Sequence, residues 1–97
     1  MPLDYLNGIR VLDISQFLPG PFATQILADM GADVVKIEPP AGDPMRALDP
    51  ITNDRGPGPY HALVNAGKRV VQIDLKSDDG KADFEKLIAA ADVVMES

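Results

Sequence analysis

Apolar and polar positions follow two rhythms along this chain. Ile9 to Ser15 is nearly continuously apolar and rich in β-branched residues, the pattern of a strand covered on both faces. Asn7-Gly8 ahead of it marks a turn. Pro19-Gly20-Pro21 ends the strand. Gly20 permits a tight turn, and a proline at the first helical position forfeits no hydrogen bond. Phe22, Ile26, Leu27 and Met30 then recur at helical spacing as one apolar stripe. Gly31 is the expected left-handed stop. Asp33 to Glu38 reads as a second strand, with Val34, Val35 and Ile37 buried.

Residues 39–59 change character. Six of the nine prolines fall here, together with Gly42, Gly56 and Gly58. Asp43-Pro44, Asp49-Pro50 and Gly56-Pro57-Gly58-Pro59 favour turns, and a connection this long is usually functional or disordered. Tyr60 to Ala66 suits a short helical turn. Val70 to Leu75 reads as a third strand. Ser77 is a helix cap, with Asp78 and Asp79 well placed in the first turn. Phe84, Leu87, Ile88 and Ala91 form the buried stripe of that helix, and Val93 to Met95 is a fourth strand.

Strand and helix alternate throughout. The expected fold is therefore α/β: a Rossmann-like parallel sheet built of βαβ units with helices on its faces. The 97 residues make one domain at most and correspond to an incomplete half of a larger doubly wound domain. The last strand, Val93 to Met95, is then an open edge able to pair with another chain, so self-association is expected.

Composition narrows the function. The net charge of −6 disfavours long-range attraction to nucleic acid or an anionic membrane. An anionic ligand would need local features: a helix start, free backbone N–H groups, a few placed cations. No apolar run reaches the ~18 residues needed to cross a bilayer. The chain has no cysteine, which excludes disulfides and thiolate metal sites and fits a reducing, cytoplasmic setting. No metal-ligand spacing is present, so no metal is expected.

Parallel strands deliver their carboxyl ends to one rim, where open α/β sheets bind ligands. Gln16-Phe17-Leu18-Pro19 follows the first strand, Pro39-Pro40 the second, Lys76-Ser77 the third and Ser97 the fourth. Lys76 is the best-placed cation. The Gln16–Pro21 loop has the build of a phosphate cradle, though it lacks the three-glycine fingerprint and the Walker lysine. Judged alone it is a plain strand-to-helix turn. Lys68 and Arg69 enter the third strand from the far end and are expected to be solvated. His61, the sole histidine, has no serine or carboxylate in a triad relation. Asp13 is expected to cap local backbone, and Asp78, Asp79, Asp83 and Glu85 form a solvated helix face.

The chain from Leu6 onward resembles the amino-terminal segment of class III CoA-transferases, the CaiB/BaiF family. The motifs that carry this are Gly8-Ile9-Arg10-Val11-Leu12-Asp13, Pro19-Gly20-Pro21 with the helix to Gly31-Ala32-Asp33, Val35-Lys36-Ile37-Glu38, Gly42-Asp43-Pro44-Met45-Arg46, Gly67-Lys68-Arg69, Asp74-Leu75-Lys76 and Ala91-Asp92-Val93-Val94-Met95-Glu96-Ser97. The resemblance implies movement of CoA between carboxylic acids through an aspartyl-CoA intermediate, with the aspartate further along than Ser97. It implies CoA as substrate and a dimer of interlocked full-length chains. It also implies CoA contacts at Gln16, Phe17, Leu18, Pro19, Pro39, Ile73, Lys76 and Ser97, largely the rim reached by topology. Leu18 and Pro39 replace the glutamine and arginine of some formyl-CoA transferases, which argues against formyl–oxalate specificity. The Pro-Gly-Pro form also occurs in 2-methylacyl-CoA racemases of the same superfamily. A racemase segment, or a non-catalytic CoA-binding or interaction module, therefore stands beside the transferase reading.

Overall fold

The computed structural model describes residues 4–16, 19–43 and 64–96. Four strands, β1 (Arg10–Asp13), β2 (Asp33–Glu38), β3 (Arg69–Gln72) and β4 (Val93–Met95), alternate with helices α1 (Pro19–Asp29) and α2 (Asp78–Ala90). The sheet runs in the order β3-β2-β1-β4, and each neighbouring pair is parallel. The expected parallel α/β sheet is the fold observed. The order reverses beside β1, so the switch point of the sheet lies between β1 and β4. That is where ligands of doubly wound folds commonly enter.

Side chains alternate across the sheet, and among the described residues each face meets one helix. Val11, Ala32 and Val34 pack with Leu27 and Ala28 on the α1 face. Leu12, Ile37 and Ile73 pack with Phe84 and Leu87 on the α2 face. Short chains bury limited surface, and among the described residues these two apolar clusters are small.

Local signals set several boundaries. Gly31 takes φ 101° at the end of α1. Ser77 caps α2 by accepting the Gly80 N–H. β2 and β4 span the residues expected. Other boundaries shift. α1 begins at Pro19, two residues before Pro21. β3 covers Arg69–Gln72 rather than Val70 to Leu75. Its last expected residues instead turn outward to form the rim, where Ser77 Oγ–H and N–H both donate to the Asp74 carbonyl.

The apolar stripes are partly misassigned. Phe22 and Ile26 are 55% and 46% exposed. The buried residues of α1 are Gly20, Pro21, Thr24 and Gln25. Ile88 of α2 is also exposed, while Phe84, Leu87 and Ala91 pack as expected. Residues 64–65 are helical, within the turn expected over Tyr60 to Ala66; the rest of that expectation before residue 64, His61 included, and most of the Pro/Gly-rich stretch lie outside the described residues.

Candidate functional site

At the carboxyl ends of β1, β2 and β3 the structure forms a groove of about 170 Å³. Ile14, Ile37 and Ile73 line it, with Gln16 after β1, Pro39 and Pro40 after β2, and Asp74, Leu75 and Lys76 after β3. Gln16, Pro39, Ile73 and Lys76, far apart in sequence, are thereby brought together. Pro19 is exposed at the start of α1 and does not line this groove. Phe17, Leu18 and Ser97 lie outside the described residues.

The groove has an apolar lining and a polar rim. Lys76 is exposed, and its N–H donates to Asp74 Oδ1 at 3.0 Å. At the α2 start beside it, Ser77 takes the Gly80 N–H, and Asp78 and Asp79 complement the dipole. Among the lining residues Lys76 carries the positive charge and Asp74 the negative. A complete ligand pocket commonly spans ~300–1,000 Å³, so this groove matches part of one.

Behind the rim, on the α1 face, lies a buried polar network that the sequence reading did not foresee. Lys68, expected as solvated charge, has a fully buried side chain paired to Asp13. Its Nζ donates to Asp13 Oδ2 at 3.0 Å, to the Pro21 carbonyl at 2.9 Å and to Asn65 Oδ1 at 2.9 Å. Asp13 does cap local backbone as expected, accepting the Ser15 N–H at 2.9 Å. It also accepts the Ser15 hydroxyl and, on Oδ2, the Thr24 hydroxyl at 2.5 Å. Burial alone would raise the Asp13 pKa, but the hydrogen bonds from Ser15, Thr24 and Lys68 outweigh it and hold the carboxyl below its ordinary value. Burial pushes the Lys68 ammonium down, opposed in part by Asp13.

A second buried pair continues the network. Lys36, in the middle of β2, pairs with Asp43 and donates to Asn65 Oδ1 at 3.1 Å. Glu38 accepts the Asp43 N–H at 2.8 Å. Asn65 thus joins both lysines. Lys36 and Glu38 alternate with Val35 and Ile37 in β2, an inner strand of a sheet with a helix on each face, so their charges require buried partners; the strand order that makes this so is not legible in the sequence.

Arg69, by contrast, is exposed as expected, in a bidentate pair with Asp33 at 3.1 and 2.7 Å. Asp78, Asp79, Asp83 and Glu85 are exposed. Among the described residues, no helix is long and apolar enough to cross a membrane.

The model of CoA-transferase family III matches residues 6–97. The chain is 46% identical over 95 residues to the succinyl-CoA:mesaconate CoA-transferase of Haloarcula hispanica, which covers 95% of this chain and 24% of that one. It is 46% identical over 98 residues to the succinate–glutarate CoA-transferase of Agrobacterium fabrum, again covering 95% and 24%. The crystal structure of a CaiB/BaiF family protein from Brucella suis superposes with a TM-score of 0.90 at 36% identity, over 97% of this chain and 26% of that one. The chain thus spans about a quarter of the length of the relatives it matches.

Proposed function

The chain belongs to CoA-transferase family III, and from that premise we propose that it is the amino-terminal part of an enzyme moving CoA between carboxylic acids, supplying one portion of the coenzyme site. The observation that carries this reading is the rim groove shared by Gln16, Pro39, Ile73 and Lys76. Its apolar lining suits the uncharged parts of the coenzyme, and Lys76 suits a phosphate. Phe17, Leu18, Pro19 and Ser97 complete the proposed contact set.

In the proposed reaction an aspartate carboxylate attacks the acyl-CoA thioester and the CoA thiolate leaves. The resulting mixed anhydride is then attacked by that thiolate at the aspartyl carbonyl. The first carboxylic acid departs as its anion and an aspartyl-CoA thioester remains. Asp13 is unsuited to this role, since its carboxylate is fully buried and already accepts from Ser15, Thr24 and Lys68. The resemblance to the family places the nucleophilic aspartate further along than Ser97, and no metal enters the proposed scheme.

Two measurements test the proposal. Titration calorimetry with CoA should show weak binding by the 97-residue chain. Incubation with succinyl-CoA and a dicarboxylate acceptor should give no turnover and, by mass spectrometry, no CoA adduct. Absence of CoA binding at millimolar concentration contradicts the coenzyme-site reading. An aspartyl-CoA adduct on this chain contradicts the assignment of the nucleophile elsewhere.

A further inference from the structure

The two ends of the β1–α1 connection converge on one ion pair. Upstream, Asp13 Oδ1 takes both the N–H and the hydroxyl of Ser15, the residue directly before Gln16. Downstream, Asp13 Oδ2 takes the Thr24 hydroxyl, and Lys68 Nζ binds the Pro21 carbonyl. The turn after β2 is tied in the same way. Glu38 holds the Asp43 N–H, Lys36 holds the Asp43 carboxylate, and Asn65 accepts from both lysines. So the two rim segments that supply Gln16 and Pro39 to the groove are anchored to one buried network.

We infer that Lys68, Asp13 and Thr24 are positioning residues for the rim groove: the buried network sets where Gln16 stands relative to Pro39, and so sets affinity for the coenzyme without touching it. None of the three lines the groove. Networks of this kind act as units, because removing one member leaves the others buried with unmet hydrogen bonds. The inference rests on the groove being the coenzyme site.

The test compares three variants by two-dimensional ¹H–¹⁵N NMR and CoA titration. Thr24→Val removes the hydroxyl at nearly constant shape, Thr24→Ser keeps it, and Lys68→Met removes the cation. Coupling of networked residues is commonly worth a few-fold to over tenfold. We expect about a tenfold loss of CoA affinity in Lys68→Met and about threefold in Thr24→Val. Thr24→Ser should restore wild-type affinity. In the weakened variants the Ser15 and Gln16 amide signals should move while those of Lys81 to Ala90 stay in place. Loss of affinity equal in Thr24→Ser and Thr24→Val, or folded variants with unmoved Ser15 and Gln16 signals, overturns the inference. If Lys68→Met fails to fold, the two Thr24 variants carry the test. If the wild-type chain binds no CoA, the functional reading fails, and the positioning network is still judged by the Ser15 and Gln16 signals.

Discussion

Replacing Gly80 by alanine sets two free-energy terms against each other at the start of α2. Helix propensity favours alanine over glycine by about 1 kcal/mol. Space opposes it. A Cβ built on Gly80 would stand 1.9 Å from the Asp74 carbonyl oxygen, 2.7 Å from the Asp74 carbonyl carbon and 2.9 Å from Ser77 Oγ. The first of these is over 1 Å inside the 3.0 Å that real Cβ atoms respect. The two nearest obstructing atoms are backbone, in the turn that carries Lys76 to the groove, and cannot swing aside as a side chain could. The helix start must move, and the Ser77 cap on the Gly80 N–H is lost with it. A lost cap costs about 1 kcal/mol and overpacking about 1–3 kcal/mol, so the sum exceeds the propensity gain. Gly80→Ala should therefore destabilise by about 1–3 kcal/mol. For a chain of this size that lowers Tm by roughly 5–20 °C. Urea and thermal unfolding followed by circular dichroism measure it. A variant as stable as the wild type, or more so, refutes the packing argument and leaves propensity in control.

Asp13→Asn should destabilise the chain at pH 7 by about 3 kcal/mol, because Lys68 is left buried without its counter-charge. The folded Asp13 pKa lies below its ordinary 3.8, so its contribution is present above that value and fades as pH falls through the folded pKa. Urea unfolding between pH 5 and 2 should then show a shallower acid loss in Asp13→Asn than in the wild type; equal slopes contradict the assignment. Lys76→Ala should weaken CoA binding roughly threefold and reduce its salt dependence, as expected for one exposed cation on a phosphate. Unchanged affinity and salt slope would remove Lys76 from the site. Val94→Lys places a charge on the exposed β4 edge and should suppress self-association seen by light scattering. A wild-type chain that is monomeric at high concentration contradicts edge pairing.

Much of the fold was legible because its signals are local. Gly31 has a backbone conformation that suits glycine, Ser77 has a side chain that suits a cap, and Val93 to Met95 is a short β-branched run. The rim also followed, since parallel strands must end together. That topology placed Gln16, Pro39 and Lys76 in one groove without any contact being known. Periodicity was less informative about α1. It identifies a stripe, yet it cannot say which side of the helix meets the sheet. Here Thr24 and Gln25 turn inward, where Thr24 meets Asp13, and Phe22 and Ile26 are left outside. Lys68 was misread for a related reason. Its backbone does enter β3 from the end away from the rim, but a lysine is long enough to reach across β2 to Asp13 on β1. Strand order was invisible to local pattern, and with it the fact that β2 lies inside the sheet and must bury Lys36 and Glu38.

The most direct test of the central claim is a CoA titration of the ¹⁵N-labelled wild-type chain, mapped residue by residue. The account predicts saturable shifts concentrated at Gln16, at Ile37 and at Ile73 to Lys76, with little change at Tyr5, Arg10 or Asp92 on the opposite end of the sheet. Shifts centred on that opposite end, or none at saturating coenzyme, would contradict it.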